Sequence, residues 1–351
     1  MRRIIFLLIA AALLLGAAPA CNKAGNEKDG EQSGTQPDTK PADDGRVHPG
    51  DVTLLDLFNG KIAEYQAEPD KPTDHVFICG HRANSFAASQ KKIPENSIPC
   101  IQEAIAQGVD MVELDVRVTS DGVPMLMHDD AVKNTTNGSG YLSAKTFAEM
   151  KALKMKYRGA STTYKDASGN EIQVPTLLEA LQACKDKIYV NLDVKSCPIP
   201  TLIQTIIEAE MVNQVMIYGY SADEKKECIE EAFNNSLAWI AIHPYISDPS
   251  GCKAYAQGYN GCAKLFQYGT DIYYKETISG FGYKCHANGA LSYSNSLNYD
   301  SEILAWYNNY YSKGKEGPCK VLDQFIASGS DFVQTDYFEL AQLYFKTMGV
   351  R

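Results

Sequence analysis

The stretch that decides the fold runs from Met111 to Asp130 and reads MVELDVRVTSDGVPMLMHDD. Its first half alternates and is rich in valine, which predicts a strand with Glu113 and Asp115 on the same face. The dipeptide Asp121-Gly122 predicts a turn. A second apolar run then places His128 at its end. We therefore expect a strand, a turn and a strand that together present two carboxylates and an imidazole.

The pair of acids in this stretch suggests a cation site. Two neighbouring carboxylates repel each other and are costly to bury. A divalent cation removes that cost, and hard cations prefer oxygen ligands. The alternative is a solvent-facing acidic pair beside an incidental histidine. The rest of the chain favours the cation site, because matching residues occur on other predicted strands.

Around this unit, predicted strands and helices alternate, which indicates an α/β barrel or an open doubly wound sheet. The barrel is favoured because charged residues cluster at the carboxyl ends of the strands, where barrel active sites lie. A leading amphipathic helix and an irregular late insertion complete the predicted fold. Nine strands are predicted, one more than a closed eight-stranded barrel needs, and the pattern does not identify the extra one: His75–Gly80, Met111–Thr119, Val123–Met127, Ile188–Lys195, Val215–Tyr220, Ala238–His243, Lys264–Tyr268, Gly289–Ser294 and Asp331–Thr335.

Composition limits the classes of partner. The chain has 351 residues, 44% of them hydrophobic, and a formal net charge of −10. This apolar content supports a substantial core. The negative charge and the lack of a basic stripe argue against nucleic acid as the main partner. The oligomeric state is left open.

The N-terminus predicts export. Met1-Arg2-Arg3 precedes a short apolar run from Ile4 to Ala18, and Ala18-Pro19-Ala20 is an A-x-A cleavage pattern. The run is too short to span a membrane and is typical of a signal peptide. Cys21 follows directly, which resembles a bacterial lipoprotein signal. We expect a signal peptide over 1–20, a disordered tether over 21–50 and a barrel domain over 51–351, with a lipid on Cys21 holding the protein at a membrane in the periplasm or at the cell surface. Simple secretion is the alternative.

Six of the ten cysteines form two groups. Cys79, Cys100 and Cys184 sit in apolar periodic segments and are predicted to belong to the core. Cys252, Cys262 and Cys285 lie in a loop-rich stretch where a disulfide is plausible in an exported protein. The pairing cannot be deduced from the sequence.

The charged residues at strand ends fit phosphodiester cleavage. Such a reaction needs positive charge on the phosphoryl oxygens and an acid–base pair. His81 and His128 suit the pair, while Arg82 and Lys195 suit the phosphate. Asp193 lies two residues before Lys195, so it repeats the acidic spacing of the first stretch. Glycoside hydrolysis would require two acids but neither the arginine nor the lysine.

The motifs Gly80-His81-Arg82, Pro94-Glu95-Asn96-Ser97, Glu113-Leu114-Asp115, Thr119-Ser120-Asp121-Gly122 and His128-Asp129 resemble the signature of the glycerophosphodiester phosphodiesterase family. The resemblance implies a TIM barrel that hydrolyses a small phosphodiester to glycerol 3-phosphate and an alcohol. It implies His81 and His128 as the acid and base. It implies one divalent cation, Ca²⁺ or Mg²⁺, on Glu113, Asp115 and Asp193. It also implies that Arg82, Glu95 and Lys195 complete the phosphate site.

This sequence departs from the family pattern at several positions. Ala83 replaces a glycine, Asp193 replaces a glutamate, and Ser292-Tyr293-Ser294-Asn295 replaces a Trp-Thr-x-Asn motif. Phe338 stands where proline is common, and Asp336 is left outside the predicted site. Two alternatives therefore stay open: a phosphodiesterase or cyclising phospholipase C-like enzyme acting on a sugar or inositol phosphodiester, and a tethered protein that binds phosphorylated ligands without turnover.

Overall fold

A computed structural model describes residues 47–68, 71–219, 222–234, 241–242, 245–246, 249–259, 261–268 and 280–351. The predicted signal peptide, Cys21 and most of the predicted tether lie outside these residues, as do His243 and part of the late insertion. Within the described residues, no helix combines the length and the apolar character needed to cross a membrane.

The strands lie close to their predicted positions, except β7, which the sequence did not predict. They are β1 Phe77–Gly80, β2 Met111–Val118, β3 Pro124–Leu126, β4 Tyr189–Ser196, β5 Val215–Tyr218, β6 Ala241–Ile242, β7 Tyr245–Ile246, β8 Leu265–Tyr268, β9 Leu291–Asn295 and β10 Phe332–Thr335. The helices are α1 Leu54–Ala67, α2 Phe86–Gln90, α3 Ile98–Gln107, α4 Phe147–Ala152, α5 Leu177–Cys184, α6 Ile199–Glu208, α7 Ala222–Asn234, α8 Cys252–Gly258, α9 Phe281–Ala287, α10 Asp300–Asn309, α11 Lys320–Ser328 and α12 Phe338–Met348.

The sheet is that of a TIM barrel. Its strand order is β6-β5-β4-β2-β1-β10-β9-β8-β7, with parallel pairing throughout this path. The two terminal strands, β6 and β7, are separated in sequence only by residues 243–244, so the path returns to where it began. If β6 and β7 are counted as one interrupted strand, the described path holds eight strands. The extra predicted strand is β3, which pairs antiparallel with β2.

The barrel strands are buried on both faces, between the surrounding helices and the barrel interior. Every residue of β1 and β10 is buried, as is β2 from Met111 to Val116. Near-continuous burial of this kind is expected for parallel strands covered on both faces. Local signals set the helix ends: for example, Thr176 caps α5 through a capping box with Glu179.

The predicted leading helix is α1, and it covers the amino ends of the strands. Thr53 caps it, and Leu54, Leu57, Phe58 and Tyr65 are buried. Phe58 packs edge-on against Phe332, the first residue of β10, with ring centroids 5.8 Å apart. The amino ends of the strands are therefore closed by packing, and the carboxyl ends form the mouth.

The cysteines are core residues throughout the described part of the chain. All nine found there are buried thiols, including Cys79, Cys100 and Cys184, which were predicted to belong to the core. The expectation of a disulfide among Cys252, Cys262 and Cys285 was wrong. These three side chains fill the packed region around α8 and α9, where burial of an apolar thiol is favourable without a bridge.

Candidate active site

Three carboxylates meet at the mouth of the barrel because β2 and β4 are neighbours in register. Asp115 pairs with Asp193, and Glu113 pairs with Asn191. The residue spacing of two then directs Glu113 and Asp115 to the same face of β2. Ligand oxygens of Glu113, Asp115 and Asp193 all lie within 4.8 Å of one another, so this group could hold a metal ion.

The electrostatics of this cluster fit a cation. Burial, with added repulsion from Asp115, raises the pKa of Glu113 to about 8. Burial also raises the pKa of Asp193. Asn191 Oδ1 is buried without a hydrogen-bond partner, and Asp115 Oδ1 is buried with an ion-pair contact of 3.3 Å to Lys195 but no hydrogen bond. Buried oxygens that lack donors are costly, and a hard cation would satisfy them.

Glu113 and Asp115, the two acids that β2 contributes to the cluster, are held by neighbouring backbone and amide groups. Asn96 donates from Nδ2 to Asp115 Oδ2 at 2.7 Å and accepts from the Asp115 amide at 3.1 Å. The Arg82 amide donates to Glu113 Oε2 at 2.7 Å. Arg82, Ala83 and Asn96 all have φ near +55°. Ala83 therefore occupies a left-handed conformation that suits the family's glycine better, at a cost of about 1–2 kcal/mol.

Two imidazoles flank the carboxylates, and each is held by an acid. His81 Nδ1 contacts Asp336 Oδ1 at 2.8 Å, and His128 Nδ1 contacts Asp129 Oδ1 at 2.7 Å. These contacts leave Nε2 of each ring for a substrate. Burial alone would lower the pKa of His81, but the hydrogen bond to Asp336 and the charge of Glu113 outweigh it and raise that pKa.

A cavity of about 300 Å³, here called the acidic cavity, joins these groups. It lies at the carboxyl ends of the strands, where the active sites of TIM barrels lie. Lys195 Nζ reaches Asp193 at 2.6 Å and Asp115 at 3.3 Å. The residues that line the cavity are His81, Arg82, Glu113, His128, Asn191, Asp193, Lys195, Tyr218, Asn295, Leu297 and Gln334.

Gly219 makes room for the carboxylate of β4. Its φ is +102°, and a Cβ there would lie 2.6 Å from Val194 O and 3.0 Å from Asp193 Oδ1. The chain leaving β5 thus passes so close to β4 that a side chain does not fit. A side chain at position 219 would therefore displace the Asp193 carboxylate.

Glu95 belongs to a second ion-pair network beside the acidic cavity. Its carboxylate accepts from Arg82 at 3.0 Å and from two nitrogens of Arg158 at 2.6 and 3.1 Å. Arg158 also donates to Asp129 at 2.7 Å. Burial opposes ionisation of Asp129, but the hydrogen bonds from Arg158 and His128 outweigh it and lower its pKa. Glu95 thus contacts guanidinium groups and lines a neighbouring cavity.

The divergent late strand places Tyr293 beneath the site. This side chain is buried, and its hydroxyl donates to Gln334 and accepts from Asn191 at 3.4 Å. Asn191 and Gln334 both line the acidic cavity, and so does Asn295. Tyr293 therefore supports the cavity wall from below, while Asn295 reaches the cavity itself.

The structure brings the eight predicted site residues of the barrel to one mouth. Cys21, the ninth predicted residue, lies outside the described part. Sequence reasoning missed Asn96, Asp129, Arg158 and Asp336. Little in the sequence indicated a role for the first three. Asn96 belongs to a quoted motif but was given no role, and Asp129 was noted only as the neighbour of His128. Arg158 belongs to no motif. Asp336 was left outside the site, yet it holds His81.

Comparison with known proteins agrees with this geometry. Residues 81–235 match the family model of the glycerophosphoryl diester phosphodiesterase family. The chain contains a glycerophosphoryl diester phosphodiesterase domain. The matched residues begin at His81 and include the eight predicted site residues of the barrel. They do not include Tyr293, Asn295, Gln334 or Asp336. The late strands of this phosphodiesterase domain thus lie outside the match.

The sequence relatives of the phosphodiesterase domain share only part of its length. The chain is 39% identical over 126 residues to glycerophosphodiester phosphodiesterase 1 of Mus musculus, covering 36% of this chain and 35% of the mouse protein. It is 30% identical over 161 residues to the glycerophosphodiester phosphodiesterase of Caldanaerobacter subterraneus, covering 46% of this chain and 59% of that protein. The chain therefore spans between a third and three-fifths of the length of these two relatives.

Solved structures extend the likeness of the phosphodiesterase domain to most of the fold. A glycerophosphoryl diester phosphodiesterase from Parabacteroides distasonis gives a TM-score of 0.58 at 20% identity, covering 82% of this chain and 92% of that one. A phosphodiesterase from Oleispira antarctica, solved in complex with the product sn-glycerol-3-phosphate, gives 0.53 at 22% identity, covering 77% and 96%. At these identities the likeness concerns the fold.

Proposed function

We propose that this chain is a metal-dependent glycerophosphodiester phosphodiesterase that releases glycerol 3-phosphate and an alcohol. The observation that carries the proposal is the acidic cavity, where three carboxylates within 4.8 Å of one another adjoin two acid-paired imidazoles. Arg82 and Lys195 line the same cavity. The family match and the product named for the Oleispira antarctica relative support the substrate class.

The acidic residues would hold the cation, and Glu113, Asp115 and Asp193 are its proposed ligands. A divalent cation, Ca²⁺ or Mg²⁺, supplies positive charge to the phosphoryl oxygens when it is bound. Three carboxylates carry more negative charge than the nearby Lys195 can neutralise, so they favour a dication. Asp193 has one methylene fewer than the glutamate common in the family, and its register pairing with Asp115 brings it within reach.

The cationic side chains would bind the phosphate. Lys195 acts as a point charge, and Arg82 presents a planar guanidinium to the same cavity. Glu95 holds Arg82 in place through its 3.0 Å contact and is itself held by Arg158. We therefore assign Glu95 to positioning the phosphate-binding arginine, because a carboxylate that touched the phosphate would repel it.

The two imidazoles would move the protons. Asp336 raises the pKa of His81, which favours the protonated ring and suits a general acid that donates from Nε2 to the leaving alkoxide oxygen. His128 then serves as the base. Asp129 at its Nδ1 fixes the tautomer in which Nε2 accepts a proton from the attacking water. Water adds to phosphorus, and the bond from phosphorus to the alcohol oxygen breaks. The proton of the water goes to His128 Nε2, and the proton of His81 Nε2 goes to the alcohol oxygen.

The test is an activity screen of the purified chain with glycerophosphocholine, glycerophosphoethanolamine and glycerophosphoinositol, followed by phosphorus NMR. We expect glycerol 3-phosphate as the product, loss of activity in EDTA and its return with Mg²⁺ or Ca²⁺. His81→Ala and His128→Ala should each lower kcat by about 10²–10⁴. His75→Ala is the matched control, because His75 precedes β1 at the closed end of the barrel.

Two results would redirect or overturn the proposal. A cyclic phosphate product would assign the chain to a cyclising, phospholipase C-like route on an inositol phosphodiester. Binding of phosphorylated ligands with no turnover over hours would instead support a tethered binding protein. A loss of less than tenfold in both histidine variants would remove the acid–base assignment.

We also propose that the protein is exported and anchored by a lipid on Cys21. The support is the charged start, the apolar run and the A-x-A pattern directly before Cys21. Metabolic labelling with a fatty acid analogue should mark the full-length chain, and Cys21→Ser should abolish the label and release the protein from membranes. Labelling that survives Cys21→Ser would contradict the assignment.

A further inference from the structure

A second cavity opens beside the acidic cavity, and no part of the substrate has been assigned to it. Its volume is about 340 Å³, and it is here called the Arg158 cavity. It shares His81 and Arg82 with the acidic cavity, so a group bound there would adjoin the reacting phosphate. The residues that line it are His81, Arg82, Asn84, Glu95, Tyr157, Arg158 and Asp336.

The charges around the Arg158 cavity are already paired. Glu95 is bound by Arg82 and Arg158, and Asp336 contacts His81. Two guanidinium groups and an imidazole therefore stand against two carboxylates. Each carboxylate among these lining residues therefore already has a cationic partner when a ligand enters.

Uncharged hydrogen-bonding groups remain for a ligand. Asn84 Oδ1 is buried and has no hydrogen-bond partner. A buried acceptor without a donor is costly, so a ligand hydroxyl that donates to it would be favourable. The Tyr157 hydroxyl adds a donor and an acceptor, and the 38% exposed Asp336 side chain can accept a further hydrogen bond.

The same cavity is poorly suited to a quaternary ammonium group. Such groups are recognised by aromatic cages, in which ring faces surround the cation. Tyr157 is the aromatic residue of this lining, and the Lys92 ammonium already lies 4.8 Å from its ring centroid. A second cation at that ring would be repelled by Lys92 and by Arg158.

We propose that the Arg158 cavity binds the alcohol that leaves the phosphate and selects a neutral, hydroxyl-rich alcohol over a quaternary ammonium alcohol. This inference rests on the proposed function. The retained glycerol has its own partners, because Asn191, Asn295 and Gln334 supply amide groups to the acidic cavity. The departing group is therefore the part of the substrate assigned to the Arg158 cavity.

The first experiment compares kcat/KM for glycerophosphoinositol, glycerophosphoglycerol and glycerophosphocholine. The wild-type chain should prefer the two polyol diesters. Asn84→Ala removes one hydrogen bond to the leaving polyol, so the ratio of kcat/KM for glycerophosphoinositol to that for glycerophosphocholine should fall about tenfold. Tyr157→Phe keeps the ring and should lower the same ratio. Asn288→Ala is the matched control, because Asn288 caps α9 away from the mouth.

The second experiment separates this inference from the proposed function. Saturation-transfer NMR on the EDTA-treated chain would measure binding of free inositol, glycerol and choline. Inositol should bind and should lose that signal in Asn84→Ala, whether or not any diester is hydrolysed. A wild-type preference for glycerophosphocholine would overturn the inference, as would an unchanged ratio in both Asn84→Ala and Tyr157→Phe. Absence of hydrolysis together with Asn84-dependent inositol binding would overturn the proposed function alone.

Discussion

The tight approach of Gly219 to β4 gives a prediction whose size follows from the geometry. At Gly219, a Cβ would lie 2.6 Å from Val194 O, about 0.8 Å short of the 3.4 Å of ordinary contact. Gly219→Ala therefore introduces two penalties. The left-handed φ of +102° costs an L-residue about 1–2 kcal/mol. The overlap with the backbone of β4 adds about 1–3 kcal/mol, as overpacking usually does.

Gly122→Ala is the control that carries only the first penalty, so its comparison with Gly219→Ala isolates the second. Gly122 has a φ of +89°, but a Cβ there meets nothing within 4 Å. This variant should therefore show only the conformational cost. The free energy of unfolding, measured by urea denaturation, should fall about 1–3 kcal/mol further in Gly219→Ala than in Gly122→Ala.

The overlap should also disturb the proposed cation site. The new methyl group would lie 3.0 Å from Asp193 Oδ1, so this carboxylate must move. We expect the dissociation constant for Ca²⁺ or Mg²⁺, measured by calorimetry, to rise about tenfold in Gly219→Ala, as is usual when the support of a ligand is disturbed. Gly122→Ala should bind the cation like wild type. Equal unfolding free energies and equal cation affinities in the two variants would refute the reasoning.

Three further variants test other parts of the site. Asp300, the first residue of α10, accepts hydrogen bonds from Thr335 and from the amide of Asp336. Burial, with repulsion from Asp336, raises the pKa of Asp300 to about 6, so the folded state holds a proton that the unfolded state releases near pH 4. Stability should therefore fall as pH rises from about 4 to about 6, and Asp300→Asn should flatten that slope in urea denaturation; an unchanged slope would contradict the shift. Lys195→Met should lower kcat by at least tenfold without weakening cation binding in calorimetry, because it removes a positive charge from beside Asp115; weaker binding would show that Lys195 supports the cation. Asn96→Ala removes a charge-assisted hydrogen bond and leaves a buried amide unpaired, so the free energy of unfolding should fall by about 2–4 kcal/mol; a loss below 1 kcal/mol would mean that water replaces the side chain.

The part of this protein that the sequence predicted well is the part with strict periodicity. Alternation along β2 placed Glu113 and Asp115 on one face, and the repeated spacing on β4 placed Asp193 and Lys195 beside them. Parallel pairing then brought both sets to the mouth. The acidic cluster could be predicted because each step depends on a local pattern and on a common rule for barrels.

Long-range contacts explain what the sequence did not predict. Arg158 reaches Glu95 and Asp129 from a segment between α4 and α5 that has no motif and no regular element. Asp336 meets His81 across 255 positions of sequence. The antiparallel role of β3 also depends on pairing, which a short apolar run cannot specify.

The hairpin of β2 and β3 has a practical consequence for engineering. Its register pairs Val116 with Leu126 and Val118 with Pro124, and Arg117 Nε donates to the His128 carbonyl at 2.8 Å. A single added residue ahead of Glu113 would turn the side chains of Glu113 and Asp115 to the opposite face of the strand. The exposed tip at Gly122, by contrast, lies beyond the last pair, so a grafted epitope or fluorophore there would sit at the rim of the barrel and leave the alternation intact.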